Sequence, residues 1–82
     1  MREEDTHEFQ TERLRKLLSQ HAPGKEIRFG DQLGLISFVI IDPPTGTVLV
    51  ENSGDWTPSV LHDKTDDLLW LMIRQFSNGK LA

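Results

Sequence analysis

Cysteine is absent from the chain. A disulfide scaffold, thiolate zinc sites, iron–sulfur ligation and a cysteine nucleophile are excluded with it. Long apolar runs are missing as well. The longest, Leu33–Ile41, is broken by Gly34 and Ser37, and it falls far short of the ~20 residues that span a bilayer. The opening residues, Met1-Arg2-Glu3-Glu4-Asp5, are acidic with no apolar stretch behind them, unlike a secretory signal. A cytoplasmic protein without membrane contact is the expectation. Glycine-rich phosphate loops are lacking too, since neither Gly24-Lys25 nor Gly79-Lys80 follows one. No cofactor is expected. Collagen-like and low-complexity readings fail for want of repetition.

What is present is a small acidic chain of 82 residues, with 9 Lys+Arg, 13 Asp+Glu and a formal charge of −4. Hydrophobic residues make up 37% of it, enough for one core, so residues 1–82 are expected to form a single domain. At this size folding buries only roughly 60–65% of the unfolded chain's surface. Self-association is a common remedy for the marginal stability that results.

Residues 5–22 have the pattern of an amphipathic helix. Asp5 or Thr6 supplies a cap, and Leu14, Leu17, Leu18 and Ala22 form a thin apolar stripe ended by Pro23-Gly24. Glu26-Ile27-Arg28-Phe29 alternates as a strand does. Leu33–Ile41 is a second strand, with Ile36, Phe38 and Ile40 on one face and Leu33, Leu35, Ser37, Val39 and Ile41 on the other. Asp42-Pro43-Pro44-Thr45-Gly46 must turn the chain. Thr47–Glu51 is a third strand, and Asn52–Asp55 has the composition of a further turn. Trp56–His62 is either a short edge strand or irregular chain. A last helix follows, capped by Asp63 or Thr65 and stopped by Asn78-Gly79. The order is α-β-β-β-α. Short turns imply an antiparallel sheet, so the class is α+β: three or four antiparallel strands flanked by an N-terminal and a C-terminal helix.

Three groups of residues could carry function. Asp55, His62 and Asp63 could form an acidic loop site, for acid/base work or a ligand. Against it, adjacent side chains rarely converge, and aspartate is an ordinary residue of turns and caps. His7 and His21 would lie roughly 21 Å apart along one helix, too far to share a metal. Arg13, Arg15, Lys16, Lys25 and Arg28, opposed only by Glu26, could follow a phosphate backbone. No aromatics are interleaved with them, and the chain from Asp42 to Asp67 is strongly acidic. That distribution disfavours nucleic acid.

The last helix supplies the third group. Leu68, Leu69, Met72, Ile73 and Phe76 cover an arc of about 140° and suit a core face. Trp70 and Leu71 fall outside that arc, with Arg74 beside them. A helix apolar nearly all round is normally buried on more than one side, and this chain has little left to bury the second. Trp70, Leu71 and Arg74 are therefore the expected contact surface. The functional expectation is a non-enzymatic interaction or regulatory protein, acting through a homodimer or another protein. A small enzyme or ligand-binding domain with the acidic loop site is the alternative.

Overall fold

A computed structural model describes residues 6–30, 34–77 and 79–81, with residues 53–55 described by their backbone alone. Helix α1 runs from His7 to His21, and the Thr6 hydroxyl caps it by accepting the Phe9 amide at 3.1 Å. Asp5, the other expected cap, lies outside the described residues. Strands β1 (Glu26–Phe29), β2 (Ile36–Asp42) and β3 (Thr47–Trp56) form an antiparallel sheet in the order β1-β2-β3. The β2–β3 turn closes on Gly46, whose φ of 71° suits a residue without Cβ. Its amide donates to the Asp42 carbonyl at 2.7 Å.

Two expectations for the middle of the chain are overturned. Asn52–Asp55 is not a turn, because β3 continues through it to Trp56. A register shift between the Phe38–Asn52 and Ile36–Trp56 pairs accommodates the extra residues of β3. Glycine within a strand commonly marks such a bulge. The Trp56–His62 stretch is neither edge strand nor irregular chain. After Trp56 a short helix, α2, spans Pro58–His62. The Thr57 hydroxyl accepts the Val60 amide at 3.2 Å, and Pro58 occupies the first turn, where its missing N–H removes no bond. Among the described residues the sheet therefore has three strands, not four.

Both long helices cover one face of that sheet. Residues directly opposite in an antiparallel pair share a face, so Ile27, Phe29, Ile36, Phe38, Ile40, Val50 and Trp56 point one way. The Arg15 guanidinium of α1 lies 5.0 Å over the Phe29 ring. From α3 (Asp66–Phe76), the Phe76 ring lies 5.8 Å from Trp56, which is 5.6 Å from Phe38. Leu14, Leu17, Leu18, Leu61, Leu69, Trp70 and Ile73 complete the core between these layers. The opposite face carries Glu26, Arg28, Ser37, Val39, Ile41, Val48 and Glu51. No helix covers it among the described residues.

Helix α3 starts at Thr65, whose hydroxyl accepts the Leu68 amide at 3.2 Å. Asp63, the other expected cap, instead ends α2. The buried side of α3 differs from the expected one. Leu69, Trp70, Ile73 and Ser77 are buried, while Leu68 and Phe76 are 44% and 47% exposed. At 100° per residue the buried arc is rotated by about 80°. The rotation brings the Trp70 indole inward, where it stacks on His21 with ring centroids 4.8 Å apart. An indole offers more apolar area for burial than the leucine it displaces.

Candidate interaction surface

The outer side of α3 is assembled by the same rotation. Leu68, Leu71, Met72, Gln75 and Phe76 recur at i, i+3, i+4, i+7 and i+8, which is one stripe of a helix. Leu71 is 49% exposed, more than any other large apolar side chain described. Leu71 and Arg74 line a shallow hollow of about 260 Å³ with Gln75, Ser77 and Gly79. Asp67 and Arg74 flank Leu71 seven residues apart, so both lie along one side of the stripe, roughly 10 Å from each other. Both are exposed, and neither side chain has an ion pair or hydrogen bond among the described residues. Leu71 and Arg74 are thus both exposed. Trp70 is not: at 8% exposure it belongs to the core. Asp67 and the exposure of Leu68 were missed by sequence reasoning, whereas Met72 packs half-buried against the core as expected and Phe76 is half-exposed against Trp56. A helix apolar on nearly all sides does not declare which side faces in.

The basic residues do not form one free patch. Arg13 is drawn inward, with its side chain 17% exposed and its Nε 2.7 Å from Asp66 Oδ1. Its remaining nitrogens donate to the Leu61 and Lys64 carbonyls at 2.6 and 2.5 Å and to Gln10 Oε1 at 3.2 Å. Arg15 pairs with Glu12 at 3.7 Å, Lys25 with Asp42 at 3.3 Å and Arg28 with Glu26 at 3.4 Å. Lys16 is exposed and has no such pair among the described residues. Four of these five cations are locally compensated, which leaves little uncompensated charge to follow phosphates.

The acidic-site residues are described in part. His62 is the last residue of α2 and half-buried, and Asp63 follows it exposed at the C-cap. The Asp55 side chain lies outside the described residues. No group of three potential metal ligands occurs among the described residues. A hollow of about 450 Å³ lies between α1 and α3, lined by Phe9, Glu12, Arg13, Lys16 and Asp66. Its carboxylates are held by arginines, Asp66 by Arg13 and Glu12 by Arg15. A second, of about 360 Å³, is bounded by Arg28, Gly30, Ser37, Val39 and Glu51, with no histidine to activate the serine.

Fold and surface together define a two-layer α+β domain with an open antiparallel sheet and an apolar outer helix face. Compared with known proteins, the chain matches no family model, no curated protein and no solved structure.

Proposed function

We propose that this is a non-enzymatic interaction or regulatory protein that binds another protein chain through the outer face of α3. The observation that carries the reading is that face itself, where Leu68, Leu71 and Phe76 stay 44–49% exposed beside Arg74, whose side chain has no ion pair among the described residues. Full burial of one leucine is worth about 1.5–3 kcal/mol, so a chain that leaves three large apolar groups on one helix forgoes a sizeable gain. Contiguous apolar exposure of this kind marks interaction sites more often than ordinary surface. Arginine at its border adds a planar donor group of the type enriched at interface centres.

The test compares the wild type with Leu68→Ser/Leu71→Ser as baits for affinity capture from the native host. Circular dichroism confirms that the variant is folded. At least one protein, the chain itself included, is expected on the wild-type bait and lost from the variant. Identical captured sets from both baits would defeat the reading.

A further inference from the structure

We propose that the partner on this face is a second copy of the same chain, with the two α3 helices paired antiparallel about a two-fold axis beside Leu71. This rests on the interaction reading above and deepens it. A two-fold interface must be self-complementary, with each residue and its contact exchanged between the copies. Asp67 and Arg74 meet that condition. In an antiparallel pair centred near Leu71, Asp67 of one copy faces the partner's Arg74, and the same contact repeats on the other side of the axis. Leu71 then meets the partner's Leu71, and Leu68 packs beside the partner's Gln75. A parallel pair would set that flank against the partner's opposite flank and leave both Asp67 and Arg74 without an opposite charge. Charge therefore selects the antiparallel register.

The free state of both charges fits this arrangement. Asp66, one residue before Asp67, is taken by Arg13 within the chain, whereas Asp67 and Arg74 have no ion pair among the described residues. An 11-residue helix is about 16 Å long. A pair of that length lies at the small end of specific interfaces, so association is expected at roughly micromolar concentrations rather than nanomolar.

Sedimentation velocity over a concentration series tests the proposal on the full chain. The wild type should dimerise. Asp67→Arg alone and Arg74→Asp alone should each associate about tenfold more weakly or worse, since each sets like charges face to face twice. An equimolar mixture of the two variants should recover a heterodimer, because both contacts are then complementary. Should either variant fold poorly, the absence of cysteine permits a second measurement. Leu71→Cys should oxidise to a covalent dimer much faster than Val48→Cys, which lies on the open sheet face. A wild type that stays monomeric at several hundred micromolar overturns the second copy as partner and leaves the capture experiment to judge the face. A dimer indifferent to both charge swaps, or equal oxidation of the two cysteine variants, overturns the antiparallel register. A dimer that also survives Leu68→Ser/Leu71→Ser removes the α3 face altogether.

Discussion

Arg13 shows how one side chain can hold three helices in place. From α1 it reaches the carbonyls of Leu61 and Lys64 at the end of α2 and the carboxylate of Asp66 at the start of α3. The Leu61 carbonyl also accepts the Lys64 amide at 3.1 Å, and the guanidinium, which presents five donors in a rigid fork, adds a side-chain donor to it. Hydrogen bonds to a charged group are worth about 1.5–3 kcal/mol each way of counting, more when a partner is left buried and unsatisfied. Arg13→Met keeps the aliphatic stem but removes every donor. A loss of about 2–3 kcal/mol in urea denaturation is the expected result. A change below about 0.5 kcal/mol would mean that water replaces the guanidinium without penalty. The sequence showed Arg13 only as one member of a basic cluster, because three of its four acceptors lie 48 to 53 residues away.

At the scale of elements, the three helices begin with one device. Thr6, Thr57 and Thr65 each accept an amide three residues ahead, at 3.1 to 3.2 Å. Thr65→Ala should destabilise the protein by about 1 kcal/mol, the usual worth of such a cap. Asp63→Asn should change stability by no more than about 0.5 kcal/mol, since Asp63 closes α2 rather than opening α3. Thermal or chemical unfolding of the two variants separates these roles, and a larger loss for Asp63→Asn would return the cap to Asp63. Elements with a strong local signal were legible: α1 from its stripe and stop, β1 from alternation, the β2–β3 turn from Pro43, Pro44 and Gly46. The path from Asn52 to His62 was not. Ser53-Gly54-Asp55 carries turn chemistry that a bulged strand also tolerates, and Pro58 suits a strand edge as well as a helix start.

For the whole molecule, the decisive feature is that, among the described residues, the helices pack on one side of the sheet. The smallest dimension of the fold is 18 Å, close to one helix layer on one sheet at about 10 Å between layers. Neighbours on β2 should therefore differ sharply. Phe38, 2% exposed beneath the helices, should lose about 3–5 kcal/mol on replacement by alanine. Val39 points to the open face, and Val39→Ala should change stability by less than about 1.5 kcal/mol. Equal losses in denaturant titrations would show that something covers the open face.

The class of fold and the positions of most elements followed from the sequence alone, because capping, alternation and turn chemistry act over a few residues. So did the presence of more apolar helix surface than a chain of this size covers. The side of α3 that turns inward was decided only in the tertiary structure. Its wheel offers two competing apolar arcs, and the choice depends on what stands opposite. His21 stacks on Trp70, and Leu69 and Ile73 are buried in the core. Those partners come from distant parts of the chain, and their packing energies outweigh the local pattern. The same packing that takes Trp70 into the core leaves Leu68, Leu71 and Phe76 outside, and with them the surface on which the proposed association rests.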